Sequence, residues 1–214
     1  MIEALDIQPC PVSFVGAWYL EDNAICDKLI EYFNKNPEKQ RIGESGDPET
    51  FATKVMPSIK DSIDIFFYPN EQVEEWVEYK DQLQKCIEKY IEKYPWCAAT
   101  DKWGLYEATN LQYYKPGGGY KAWHSERVCA LYPYNLRHLV FMTYLNDVTD
   151  HGETDFKHQR FRVSPRKGLT LIWPADWTHH HRGIPSPTQE KYIITGWLSY
   201  LPKEIVDDSN QEKS

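Results

Sequence analysis

The chain has 214 residues, of which 41% are hydrophobic and 14% aromatic, so it can form one sizeable core. Mean hydropathy is -0.65 and no stretch approaches the roughly 18 apolar residues of a membrane span, so no association with a membrane is expected. The net charge is -8, and residues 1–100 carry 10 Lys and Arg against 19 Asp and Glu, which argues against a broad nucleic-acid-binding surface.

The cysteines and the N-terminal segment indicate the cellular compartment in which the protein is expected. The five cysteines are an odd number and include no C-x-x-C pair, which argues against a disulfide framework and a cysteine-built zinc site. Residues 1–12 lack the basic and apolar regions of a secretory signal. We therefore expect a cytoplasmic protein.

The first part of the chain carries two helical patterns. Apolar residues recur at helical spacing over Leu20–Asn34, ending at Pro37, and again over Asn70–Tyr94, ending at Pro95. The polar, glycine- and proline-containing segment 38–60 between them predicts an irregular excursion. The sequence thus predicts two amphipathic helices.

After Pro95 the pattern changes to short β-rich runs separated by turn signals, which favours a β-sandwich or jelly roll with the helices packed along one sheet. We expect a single domain over 1–214, with helical support in 1–95, the jelly-roll core in 96–201 and a frayed tail in 202–214. The predicted runs are Asn110–Tyr114, Pro116–Gly119, Tyr120–Val128, His138–Leu145, Asn146–Gly152, Phe161–Val163, Leu169–Trp173 and Tyr192–Leu201.

Two clusters in this second part carry metal-binding residue types. In the first, His124 and Glu126 are two residues apart and would project from the same face of a strand. The second, Trp177–Gly183, contains three consecutive histidines and can supply another imidazole. Two histidines and one carboxylate form the facial triad of non-haem Fe(II) oxygen chemistry, which leaves coordination positions open. Either cluster alone is weak evidence, because such residues also occur on exposed strands and turns.

A third element strengthens this interpretation. Lys191 begins the run KYIITGWLSY, in which alternation places Lys191, Ile193, Thr195 and Trp197 on one face. A lysine that points inward from a buried strand needs an anionic partner. The sequence therefore predicts an anionic partner for Lys191.

The ordered motifs YYKPGGGYKAWHSER, RHLVFMTYLNDVTDHGETDF and PRKGLTLIWPADWTHHHRGIPSPTQEKYIITGW resemble the 2-oxoglutarate and Fe(II)-dependent dioxygenases, and within them the prolyl 4-hydroxylase-like group, including members from phages and marine bacteria. The resemblance covers roughly Leu20 to Leu201. It implies a mainly β fold of class α+β, with a double-stranded β-helix (cupin-like jelly roll) core flanked by helices. For a viral member it implies the host cytoplasm.

Carried over residue by residue, the resemblance makes His124, Glu126 and His181 the iron ligands and the catalytic centre, with Glu where many relatives have Asp. His181 is favoured because it alone gives the His-x-Gly step with Gly183 and lies ten residues before Lys191. His179, on the same side of an extended strand, is the alternative ligand.

The resemblance also implies the cosubstrate and substrate contacts. Lys191 would pair with the distal carboxylate of 2-oxoglutarate, and Tyr144, Tyr114 and Thr195 would line the same pocket. The residues expected to meet the substrate are Arg127, Trp197 and Tyr120.

The implied reaction is the hydroxylation of an unactivated C–H bond, with succinate and CO2 as co-products. Its cofactors are Fe(II), 2-oxoglutarate and O2, with ascorbate (vitamin C) as the reductant. The expected substrate is a prolyl residue of a peptide or protein, and the alternative is a free amino acid or small metabolite. A nucleic-acid demethylase is disfavoured by the net charge and by Lys191. The non-enzymatic alternative is a metal-binding, cupin-like recognition domain that has lost turnover.

Overall fold

The computed structural model describes residues 13–47, 50 and 52–202. The predicted frayed tail, beyond residue 202, lies outside these ranges. Within them, neither helix has the length and apolar character that crossing a bilayer requires.

Both predicted helices form, each beginning a few residues later than its sequence pattern. Helix α1 (Ala24–Lys35) begins where the Ala24 N–H donates to the Asp22 carboxylate at 2.9 Å, and a short 3-10 turn that begins at Pro37 follows its end. Helix α2 (Glu74–Lys93) is likewise followed by a 3-10 turn that begins at Pro95. The apolar faces of both helices are buried, as their periodicity predicts.

The strands are, in chain order, β1 (Gly16–Tyr19), β2 (Arg41–Ile42), β3 (Ser45–Gly46), β4 (Thr53–Lys54), β5 (Lys60–Asp61), β6 (Ile63–Phe67), β7 (Trp103–Leu105), β8 (Thr109–Tyr114), β9 (Gly119–Tyr120), β10 (Arg137–Tyr144), β11 (Thr154–Phe156), β12 (Phe161–Val163), β13 (Leu169–Pro174), β14 (His181–Gly183) and β15 (Lys191–Tyr200). An eight-stranded main sheet runs in the order β1-β13-β10-β15-β8-β6-β2, with β7 also paired to β15. A three-stranded minor sheet has the order β12-β11-β14, and β3-β4 and β5-β9 form two small ribbons. This is the predicted jelly-roll-like core with flanking helices.

Several local predictions were wrong. The N-terminal part is not only helical, because β1 pairs with β13 and β6 pairs with β8 in the main sheet. The predicted strand Tyr120–Val128 is reduced to β9 and an isolated bridge between His124 and His181. The run Asn146–Gly152 is a loop, and the neighbouring strand is β11. Short segments such as these pair only where a partner edge is available, which local pattern does not reveal.

The main sheet buries both of its faces, because side chains alternate along its central strands. On β10, Leu139 and Phe141 join the helices in one core, while Val140 and Met142 join a second core between the main and minor sheets. On β15, the lysine face identified in the sequence points into the space between the sheets. The cavity described below is at one end of this space.

Helix α2 is joined to the main sheet by a buried hydrogen-bond chain. The Tyr79 hydroxyl lies 2.8 Å from Thr143 Oγ1, which lies 2.7 Å from Thr170 Oγ1 on the next strand. All three side chains are fully buried. The chain thus fixes the helix against β10 and β13.

Tyr79→Phe is expected to lower the free energy of unfolding by about 1 to 2 kcal/mol, because the buried Thr143 hydroxyl loses a partner without any loss of ring packing. Urea denaturation would measure the change. Tyr19→Phe, at a side chain that is mostly exposed, is the matched control and should change stability by less than about 0.5 kcal/mol. Equal effects of the two substitutions would contradict a structural role for the Tyr79 hydroxyl.

Candidate active site

A cavity of about 340 Å³ opens between the two sheets and is walled mainly by β8, β10 and β15. The ribbon β3-β4 contributes Ser45 and Thr53 to the cavity lining, so described parts of the segment 38–60 border the cavity. The cavity is lined by most of the predicted site residues, namely His124, Glu126, His181, Lys191, Tyr114, Thr195, Trp197 and Tyr120.

His124, Glu126 and His181 form one cluster on the cavity wall. Although residues 121–128 are not a regular strand, the backbones of His124 and His181 exchange two hydrogen bonds of 3.0 and 2.9 Å. Glu126 Oε1 lies 3.3 Å from His124 Nε2 and 3.5 Å from His181 Nε2. All three potential ligand atoms lie within 4.8 Å of one another, so a single metal ion can contact them together.

The orientation of each imidazole suits metal binding. Nδ1 of His124 lies 3.0 Å from the carbonyl oxygen of Ala122, and Nδ1 of His181 lies 2.9 Å from that of His179. A carbonyl oxygen can only accept a hydrogen bond. In the neutral rings Nδ1 therefore carries the proton, and the lone pair of Nε2 faces the cluster. Two lone pairs and a carboxylate oxygen at this distance need a proton or a cation between them, and this donor set fits Fe(II).

Burial and charge keep these groups in their ligand forms. Burial acts to raise the pKa of Glu126, but interactions with His124 and His181 outweigh it and hold this pKa well below its usual range. Burial lowers the pKa of His181, and the neighbouring His124 acts in the same direction. An ionised carboxylate and a neutral imidazole are the forms that bind a divalent metal.

His179, the alternative ligand, has a different position. It ends a 3-10 turn before β14, and its Nε2 lies 3.0 Å from the carbonyl oxygen of Ser13. Because the chain is not extended from His179 to His181, the two rings do not share a face. The geometry therefore places His181, and not His179, beside Glu126.

Lys191 is buried in the same cavity, with 4% of its surface exposed. Its Nζ donates to the carbonyl oxygen of Gly152 at 3.0 Å and lies 5.1 Å from the centre of the Tyr114 ring. Gly152 has a φ of +84°, a backbone conformation that favours glycine, within the turn that aims its carbonyl at the lysine. Burial lowers the pKa of Lys191 to about 8. A neutral carbonyl compensates a buried ammonium only in part, so the position suits an added anion.

The other predicted cosubstrate contacts divide into two groups. Tyr114 and Thr195 line the cavity, although the Tyr114 hydroxyl already donates to Gln112 Oε1 at 2.7 Å and the Thr195 hydroxyl to the Phe141 carbonyl at 2.8 Å. Tyr144 is fully buried behind the wall, where its hydroxyl contacts Thr154 Oγ1 at 2.6 Å. The structure thus brings Tyr114 and Thr195, but not Tyr144, to the cavity.

The predicted substrate residues also differ in position. The Tyr120 ring stacks on His124 with 3.7 Å between ring centres, and the Trp197 indole N–H donates to Glu126 Oε2 at 2.9 Å. Arg127 is not a cavity residue, because its guanidinium forms a bidentate ion pair with Asp176 at 2.6 and 2.7 Å. Of these three residues, only Tyr120 and Trp197 contact the His124, Glu126 and His181 cluster.

Two buried ion pairs on the cavity wall are absent from the sequence predictions. Lys60 pairs with Asp64 at 2.5 Å, and Arg137 pairs with Glu107 at 2.6 Å. A β-bulge between Arg137 and Leu139 turns the arginine toward the cavity, whereas simple alternation would place it with Leu139 on the helix side. In the sequence, the signal for these two ion pairs was limited to charged residues at the ends of apolar strands.

The comparisons with known proteins agree with this geometry. Residues 109–199 match the model of the 2OG-Fe(II) oxygenase superfamily, and this segment contains the whole cluster and Lys191. A comparison with curated protein sequences finds no significant match.

Solved structures with the same fold include three prolyl hydroxylases. The viral collagen prolyl hydroxylase of Paramecium bursaria Chlorella virus-1, solved with 2OG, has a TM-score of 0.66 and 22% identity, over 91% of this chain and 100% of that one. The Pseudomonas putida prolyl-4-hydroxylase has a TM-score of 0.63 and 16% identity, over 88% of this chain and 94% of that one. The Trichoplax adhaerens prolyl hydroxylase, solved with a peptide of the hypoxia-inducible factor, has a TM-score of 0.65 and 13% identity, over 87% of this chain and 84% of that one.

The fold, the His-Glu-His cluster and the match over the segment that carries it lead to one conclusion. Residues 109–199 match the 2OG-Fe(II) oxygenase superfamily and contain the His-Glu-His cluster, and the described chain has the fold of the prolyl hydroxylases to which it is similar.

Proposed function

We propose that this protein is a 2-oxoglutarate-dependent dioxygenase that hydroxylates a proline residue within a peptide or protein. The observation that carries the proposal is that the three ligand atoms of His124, Glu126 and His181 converge in the same buried cavity as the ammonium group of Lys191. We further propose a cytoplasmic location and ascorbate as the reductant.

In this proposal His124, Glu126 and His181 hold Fe(II), and Lys191 binds the distal carboxylate of 2-oxoglutarate. Tyr114 and Thr195 line the wall beside that carboxylate. Lys191 Nζ is 3.7 Å from the position that a Cβ would occupy at Gly183, two residues after His181, so the cation and the cluster share one end of the cavity. A charge-assisted hydrogen bond in a buried site is worth roughly 1.5 to 3 kcal/mol.

When bound, Fe(II) with 2-oxoglutarate and O2 supplies the oxidising power that places one oxygen atom on a C–H bond and the other in succinate, with release of CO2. The protein binds and orients the substrate and the cosubstrate, and it excludes water from the cavity. Trp173 and Met142 close the apolar side of the cavity, and Tyr120 covers one face of His124. An enclosed wall of this kind protects a reactive centre from solvent.

The charges of the cavity support a peptide rather than a free amino acid. Among the described residues, the buried cations Lys60 and Arg137 are already paired with Asp64 and Glu107. Lys191 is assigned to the cosubstrate. A free amino acid would bring a carboxylate and an ammonium group that each need an opposite charge, whereas a peptidyl proline brings neutral amides. The peptide bound by the Trichoplax adhaerens enzyme is consistent with this choice.

Anaerobic addition of Fe(II) and 2-oxoglutarate is expected to give the visible charge-transfer band of a chelated keto acid. After O2 and ascorbate are added, proline-containing peptides should raise succinate formation at least about tenfold over the uncoupled rate, and peptide mass should rise by one oxygen atom. Free L-proline is the matched control. Hydroxylation of free proline in preference to every peptide would support the small-molecule alternative, and no band in folded protein would support the non-catalytic one.

His181→Ala is expected to reduce Fe(II)-dependent succinate formation by at least about a hundredfold, because it removes a ligand atom of the cluster. His179→Ala is the matched control, since it removes a buried imidazole of the same triplet whose Nε2 meets the Ser13 carbonyl. It should leave turnover within a fewfold of wild type. Loss of turnover confined to His179→Ala would overturn the ligand assignment.

The affinity for 2-oxoglutarate is expected to decrease as the pH rises through about 8, where Lys191 loses its proton. With this pKa the protonated fraction, and hence the affinity, should fall roughly tenfold between pH 7 and pH 9. Titration of the metal-loaded protein at several pH values would measure this. Lys191→Ala should bind at least about tenfold more weakly at pH 7 and should lack this pH dependence. An identical pH profile in both proteins would contradict the role of Lys191.

A further inference from the structure

The two carboxylate oxygens of Glu126 have different surroundings. Oε1 faces the Nε2 atoms of His124 and His181 at 3.3 and 3.5 Å. Oε2 accepts the indole N–H of Trp197 at 2.9 Å and lies 3.4 Å from an Arg137 guanidinium nitrogen. Glu126 therefore presents one oxygen to the metal position while the protein holds the other.

Arg137 is itself fixed from three sides. Its guanidinium makes three hydrogen bonds to Glu107, the shortest at 2.6 Å, and lies 3.5 Å from the centre of the Trp197 ring. Another nitrogen lies 3.3 Å from the backbone carbonyl oxygen of Glu126. Glu107 also accepts a hydrogen bond from Ser199 at 3.2 Å. Arg137 is 7% exposed, so these contacts are little screened by water.

We propose that Glu107, Arg137 and Trp197 act together as positioning residues that make Glu126 a one-oxygen ligand. The inference rests on the metal role proposed above for Glu126. Glutamate has one more methylene than aspartate, so its carboxylate has an additional rotatable bond and can turn both oxygens toward a metal. The Trp197 N–H and the Arg137 guanidinium prevent this by holding Oε2 on the opposite side. A metal held by Glu126 through one oxygen would keep a coordination position free for the cosubstrate or O2.

Co(II) is the probe for the test, because its visible absorption reports the coordination number and it does not turn over. Trp197→Phe removes the N–H donor and keeps an aromatic ring under Arg137, and Glu107→Gln removes the charge that holds the guanidinium. Both variants should change the visible Co(II) spectrum toward a higher coordination number, because Glu126 can then turn both oxygens toward the metal, and should change the Co(II) affinity by at least about tenfold. Glu78→Gln, which affects the Lys28–Glu78 pair away from the site, is the matched control. Its Co(II) affinity and its visible Co(II) spectrum should equal those of wild type.

The outcomes separate the two proposals. If wild-type protein binds Co(II) but both variants keep its affinity within twofold and its spectrum unchanged, the positioning role is wrong and the metal site stands. If folded wild-type protein does not bind Co(II), the metal site itself is wrong. A thermal melt establishes that each variant is folded, and if Trp197→Phe does not fold, Glu107→Gln alone decides.

Discussion

The two backbone hydrogen bonds between His124 and His181 are the constraint on which the site depends. They join a loop that has little regular structure of its own to the first residue of β14. Because the pairing fixes two histidine backbones opposite each other, both Nε2 atoms reach the same carboxylate oxygen of Glu126. The minor sheet holds β14 in place through its pairing with β11.

The remainder of the cavity is built by the inward face of β15. Lys191, Thr195 and Trp197 alternate along this face, where Lys191 contacts the Gly152 carbonyl oxygen, Thr195 lines the wall and Trp197 contacts the Glu126 carboxylate. Burial is essential to each role, since it weakens the hold of Lys191 on its proton and strengthens the contacts to Glu126. The helices contribute indirectly, by covering the other face of the same sheet.

Much of this arrangement was predictable from local pattern. The helices follow from apolar spacing, and the cavity face of β15 follows from alternation that starts at Lys191. The choice of His181 over His179 was favoured by the motif and agrees with the geometry, although the reason is a 3-10 turn rather than an extended strand. The ion pair of Arg127 with Asp176 was not predicted, because it joins residues that are far apart in the chain.

The sequence by itself determined the candidate ligand types, the lysine on a buried strand and the class of fold, because each is expressed in residue identity and short-range periodicity. Only the tertiary structure decided which residues surround the ligands. The bulge that turns Arg137 inward, its pairing with Glu107 and the hydrogen bond from Trp197 to Glu126 all depend on strand register. Register is set by packing across the whole sheet, so no local pattern records it.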